Sequence, residues 1–175
     1  MGMFFDNDKE TYCGSYKGIG VYQYGSMIGN NWYGEFYCRV PRGKTKRNMK
    51  VDCGGCWSLE AINEYIDKNL LALYKMGGYY DKAIKYILKE RGTDKFHLEY
   101  LVDLGDEEDF EGEVFAITCD TIILKDKNIF IGNSNNENEE GIIDEEELYP
   151  FNRLTESQRK EVLWALTKTI EWLDK

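Results

Sequence analysis

Trp32-Tyr33-Gly34-Glu35-Phe36-Tyr37-Cys38-Arg39-Val40 is the stretch that decides the fold. Trp32, Gly34, Phe36, Cys38 and Val40 alternate with Tyr33, Glu35, Tyr37 and Arg39. A period of two gives one strand two chemically different faces. Upstream, residues 16–24 place Ile19, Val21 and Tyr22 among glycines, and residues 25–31 are rich in turn formers. Downstream, residues 41–47 connect to a third short strand with Met49, Val51 and Cys53. The period then changes. Ser58 reads as a helix N-cap with Glu60 in the first turn, and Leu59, Ile62, Ile66, Leu70 and Leu73 keep helical spacing up to Gly77-Gly78. A second helix over about residues 80–91 has Ala83, Ile84, Ile87 and Leu88 as its apolar face, and Gly92 stops it.

The second half repeats the order without repeating the sequence. Phe96, Leu98, Tyr100, Val102 and Leu104 alternate with His97, Glu99, Leu101 and Asp103. Residues 114–119 and 121–124 read as two β-branched strands, and Asp126-Lys127-Asn128 turns the chain into Ile129-Phe130-Ile131. Residues 133–147 read as a polar, acidic loop. Thr155-Glu156-Ser157-Gln158 is a capping box that opens a helix with Val162, Leu163, Leu166, Ile170 and Leu173 on one stripe. The class is therefore α+β, with antiparallel sheet segments and helices packed on one side. The order is β-β-β-α-α over residues 1–92 and β-β-β-β-α over residues 93–175, as two modules or one shared core.

The chain of 175 residues is long enough to bury a core without disulfides or metals. No run of 18 apolar residues predicts a membrane span, and residues 1–10 lack the basic-then-apolar layout of a secretion signal. Five cysteines, an odd number, fit free thiols in a reducing cytoplasm. The net charge of −10 argues against free binding to DNA, whose phosphates it would repel.

That charge is unevenly spread. Residues 39–50 hold six bases and no acid, among them Arg42, Lys44, Lys46 and Arg47, which read either as an exposed loop attracted to the protein's own acids, the simpler reading, or as contacts to RNA or a partner. Residues 96–124 hold nine acids and no Lys or Arg, and residues 133–149 hold seven more acids and no base. Asp106, Glu107, Glu108, Asp109, Glu111 and Glu113 are the first expected contacts of an electronegative docking surface, and Glu139, Glu140, Glu145, Glu146 and Glu147 are the second. Phe110 and Ile142-Ile143, apolar within acidic stretches, read either as interface cores or as anchors to the body. Purely solvated loops are the competing reading of both stretches.

Catalytic signatures are missing. Cys53-Gly-Gly-Cys56 is half of a zinc site, which Cys13 and Cys38 would have to complete; buried free thiols are the simpler reading. His97 is the single histidine and no nucleophile elbow accompanies it. Gly18-Ile19-Gly20 opens no helix, and Gly43-Lys44-Thr45 matches only the end of a phosphate loop. The expectation is a protein that is not an enzyme and needs no cofactor.

Tyr16-Lys17-Gly18-Ile19 and Trp32-Tyr33-Gly34-Glu35-Phe36, followed by Ser58-Leu59-Glu60-Ala61-Ile62 and Ile66-Asp67, resemble the small β-β-β-α units of short phage and mobile-element proteins. With the acidity, aromatic richness and lack of catalytic motifs, the profile resembles anti-CRISPR inhibitors, and also immunity proteins that neutralise toxins. The resemblance implies inhibition in the host cytoplasm through a protein partner with a basic groove: a CRISPR effector nuclease or its guide-RNA complex. A zinc-stabilised adaptor built on Cys53 and Cys56 is the alternative of a different kind.

Overall fold

The structure, a computed structural model, describes residues 9–28, 31–42 and 47–175. The chain divides into two compact units, Met1–Gly78 and Tyr79–Lys175. Both confirm the α+β class, each with a four-stranded antiparallel sheet in chain order. The division falls after Gly78, so the second helix, grouped with the first half by sequence, belongs to the second unit.

The first unit contains β1 (Lys9–Tyr16), β2 (Ile19–Ile28), β3 (Asn31–Arg42), β4 (Arg47–Cys56) and α1 (Leu59–Met76). One sheet face carries Ile19, Val21, Cys38, Val40, Val51 and Cys53, all buried. Against it α1 buries Ile62, Ile66, Leu70 and Leu73, the stripe expected from spacing. Ser58 caps α1 through its hydroxyl, which accepts from the Ala61 N–H at 3.0 Å. The sheet has four strands where the sequence showed three. β1 is an edge strand whose side chains stay exposed or half-exposed, so it has no alternation to read. It turns into β2 through Lys17 and Gly18, both at positive φ, as a type I′ hairpin requires.

The second unit contains α2 (Tyr80–Glu90), β5 (Lys95–Glu108), β6 (Val114–Lys125), β7 (Asn128–Gly132), β8 (Tyr149–Pro150) and α3 (Glu156–Leu173). Val162, Leu163, Ala165 and Leu166 of α3 are buried, α3 packs on β5, and α2 packs on α3. Buried Leu98, Val102, Leu104, Ile117, Ile122 and Ile131 complete the core. The capping box at Thr155 and Gln158 forms as expected, with both bonds present. Residues 114–124, expected as two strands, run as one; Tyr149–Pro150 supplies the fourth, pairing with Phe130 and Ile131. Asp120, polar in the middle of β6, stays in the strand because its carboxylate is satisfied by Ser134. Residues 133–147 are ordered by two 3₁₀ turns and a Glu137–Ile143 bridge.

Candidate functional site

Both acidic stretches belong to the second unit, and each contains the same turn. In the β5–β6 hairpin, Asp109 Oδ1 accepts from the N–H groups of Glu111 and Glu113, both at 2.9 Å. In the later stretch, Asn138 Oδ1 accepts from the N–H groups of Glu140 and Ile142 at 2.9 and 3.0 Å. In both, the fourth residue is a glycine at positive φ, Gly112 or Gly141. Its N–H donates back to the carbonyl of the first residue, Asp109 or Asn138. The N–H of that first residue donates to the carbonyl of the fifth, Glu113 or Ile142, at 2.9 Å. Asp109-Phe110-Glu111-Gly112-Glu113 and Asn138-Glu139-Glu140-Gly141-Ile142 are thus one backbone device used twice.

This device separates acids with a structural role from acids that face water. Asp109 holds its own turn. Glu107, the one partly buried member of its group, is paired with Arg153 at 3.0 Å. Tyr149 also leans on Glu107, and partial burial together with that carboxylate raises the Tyr149 hydroxyl's pKa. Glu145 pairs with Lys125 at 2.5 Å, and this contact lowers the glutamate's pKa and raises the lysine's. Glu147 accepts from Asn136 Nδ2 at 3.3 Å. Asp106, Glu108, Glu111, Glu113, Glu139, Glu140 and Glu146 are exposed and have no ion-pair partner among the described residues.

The expected single surface is only partly assembled. A depression of about 220 Å³ is lined by Phe115–Thr118 on one side and Glu146, Glu147 and Tyr149 on the other. Asp106 and Glu107 are the register partners of Ala116 and Phe115, so the hairpin root and Glu146-Glu147 border the same depression. The turn with Glu139 and Glu140 is elsewhere. Lys95, which opens β5, pairs with Glu137 at 3.1 Å and donates to the Gly141 carbonyl, whereas Asp106–Glu108 close that 14-residue strand. Glu139 and Glu140 therefore form a separate acidic tip.

The apolar residues split between the two readings. Ile143 is an anchor, buried and touching the space above Gly132. Phe110 is fully exposed among carboxylates, and Ile142 is more than half exposed.

The remaining candidates fall out differently. Cys38 and Cys53 meet at 3.7 Å in the first unit's core, a contact that raises the Cys38 thiol's pKa and lowers that of Cys53. Cys56 is buried nearby and donates to the Cys53 carbonyl at 3.5 Å. Cys13 is exposed on edge strand β1 and donates to the Thr11 carbonyl. The zinc quartet is therefore not assembled, and no group of three or more metal-ligating side chains exists among the described residues. Cys119 is a buried thiol pushed up to about 12 by desolvation. Arg42 and Arg47 are register partners at the β3–β4 end, while Lys44 and Lys46 lie outside the described residues.

A polar chain that the sequence did not reveal runs from His97 into the second sheet. Its Nδ1 is 3.2 Å from Thr121 Oγ1, which donates to Asp120 Oδ1 at 3.0 Å. Asp120 also accepts from the Ser134 N–H and hydroxyl at 2.7 and 2.5 Å. Partial burial works against that carboxylate, but these donors together hold it below its ordinary range. Ser134 is bound to Asp120 rather than to His97, and the buried Thr121 hydroxyl donates to the same carboxylate, so the chain fastens the 133–137 turn to β6.

No helix among the described residues is long and apolar enough to cross a membrane. A scan against protein-family models finds no match, and searches of the curated proteins and of the solved structures find none either.

Proposed function

We propose that this protein is a non-enzymatic acidic inhibitor that docks on a basic surface of a nucleic-acid enzyme, with a CRISPR effector nuclease as the first partner class to test. The observation that supports this reading is the β5–β6 hairpin tip. It holds exposed Asp106, Glu108, Glu111 and Glu113 around a fully exposed Phe110, on a backbone pinned by Asp109. A pinned tip loses little conformational freedom on docking. Its carboxylates steer a basic partner, and the phenyl ring gives the contact an apolar centre. Residues 79–175 contain 24 acids and 12 bases, so the field around the tip is strongly negative. Glu146 and Glu147, across the depression, extend the contact.

The test is RNA-guided DNA cleavage by a panel of effector nucleases with the protein added. Inhibition that weakens with salt is expected. A variant with Asp106, Glu108, Glu111 and Glu113 changed to Lys loses it, whereas Phe110→Ala raises the inhibitory concentration about 10-fold. Cleavage untouched throughout the panel, or full inhibition by the charge-reversed variant, would overturn the assignment.

A further inference from the structure

The face of the first sheet opposite α1 is paved with tyrosine. Register places Tyr12, Tyr22 and Tyr37 in one row across β1, β2 and β3, with Tyr24 in the next row and Tyr33 two residues beyond Glu35 on the same face. The Tyr12 and Tyr22 ring centroids are 5.2 Å apart, and Tyr22 and Tyr37 are 6.1 Å apart with planes 17° from parallel. Tyr12, Tyr24 and Tyr33 are 59%, 51% and 53% exposed.

Cations lie over this pavement. The Arg39 guanidinium is 5.7 and 5.6 Å from the Tyr22 and Tyr37 centroids, and exposed Lys50 places Nζ 4.3 Å from the Tyr37 centroid. Three acids share the face by register. Glu10 is taken up by Arg39, at 2.7 Å, and by the Tyr37 hydroxyl. Asp52 accepts from the Gly54 N–H at 3.0 Å. Glu35 is left, beside Tyr24.

We propose that this face is a stacking platform for single-stranded nucleic acid, with bases lying on Tyr12, Tyr24 and Tyr33 and Lys50 meeting the phosphates. Every base has a π-face, so exposed rings on a sheet accept them whatever the sequence. Tyr12, Tyr24 and Tyr33 lie on three neighbouring strands, each one diagonal step from the next by register, and a diagonal step of about 7 to 8 Å spaces rings for an extended chain rather than a stacked duplex. Although the whole chain is acidic, positive charge is available on the face: Lys50 stands exposed over the Tyr37 ring, and Arg39 neutralises Glu10, in a unit whose residues 1–78 hold ten bases against eight acids.

The test is fluorescence anisotropy of labelled oligouridine and oligothymidine, each of about ten nucleotides, with the full chain at low salt. Both single strands are expected to bind, and a duplex of the same length at least about 10-fold more weakly. RNA-only binding also supports the platform and adds reading of the 2′-hydroxyl. Changing Tyr12, Tyr24 and Tyr33 together to Ala should weaken binding at least about 10-fold, while the triple Phe variant keeps it. Lys50→Glu should weaken binding and flatten its salt dependence, and Glu35→Gln should tighten it. All five positions are exposed or half-exposed, and circular dichroism checks that each variant is folded. No anisotropy change, equal binding by the Ala triple, or equal binding of duplex would overturn the proposal. The Ala triple leaves the hairpin-dependent inhibition above unchanged, so the two readings fail separately.

Discussion

The two units use one plan and finish it in opposite ways. Each is a four-stranded antiparallel meander with a long helix on one face. The inner faces are interchangeable in kind, with Val21, Val40 and Val51 in one and Val102, Ile117 and Ile122 in the other. The decoration differs. The first unit presents tyrosines and has more bases than acids, while the second has twice as many acids as bases. A strand's period of two commits only alternate positions to packing, so the other positions are free to carry charge or aromatic rings. Fold and surface are therefore separate decisions written in the same strands.

The close approaches give the largest contrast. A Cβ on Gly25 would lie 1.9 Å from the Tyr33 carbonyl oxygen and 2.5 Å from the Gly34 Cα, both backbone. A Cβ on Gly132 would meet only the tips of Ile143 and Leu148, each at 3.1 Å. Gly25→Ala should cost about 3 kcal/mol in chemical denaturation and Gly132→Ala about 1 kcal/mol, because side-chain tips yield and paired backbone does not. Equal costs would show that the two sheets tolerate crowding alike.

The repeated turn comes next. Asp109→Ala and Asn138→Ala each remove an acceptor serving two backbone N–H groups, and each should cost about 1 to 2 kcal/mol, read from the denaturation midpoint. The helix caps are a smaller test. Thr155→Ala should cost about 1 kcal/mol and more than Ser58→Ala, since Thr155 shares a reciprocal box and Ser58 makes a single cap bond. The two-residue hairpins follow. Lys17 and Gly18 turn the first sheet, whereas Asp126 and Lys127, both non-glycine, turn the second at positive φ. Lys127→Gly should stabilise by up to about 1 kcal/mol, seen as a raised melting temperature.

The smallest effect concerns acid. The Arg39 hydrogen bond holds the Glu10 carboxyl below its ordinary range, outweighing partial burial, with Tyr37 helping. A folded-state pKa lowered in this way stabilises the protein above the ordinary carboxylate range, and the gain fades as pH falls through the lowered value. Glu10→Gln should therefore be less stable than the parent near neutrality and approach it in acid, measured by melting across pH.

Much of this was legible in the sequence, for reasons specific to particular residues. The α1 stripe and the capping box were plain because periodicity and caps are local. β1 was not, because an edge strand with Lys9, Glu10 and Thr11 has no buried alternate to betray it. The continuity of β6 was not legible, because the partner that satisfies Asp120 between its two apolar runs is Ser134, fourteen positions on. The acidic residues were found from composition, but their sorting into turn holders, ion pairs and exposed groups depended on Arg153 and Lys125, which lie far away in sequence. The five-residue turn was readable and was missed: Asp or Asn followed three places later by Gly is its written form.

That turn has an evolutionary consequence. Its geometry rests on the first side chain and the glycine, so the two residues at its apex bear no structural burden. Phe110 with Glu111, and Glu139 with Glu140, can be replaced without disturbing the loops that display them. A lineage under pressure from a changing opponent could rewrite these apices while leaving the scaffold untouched.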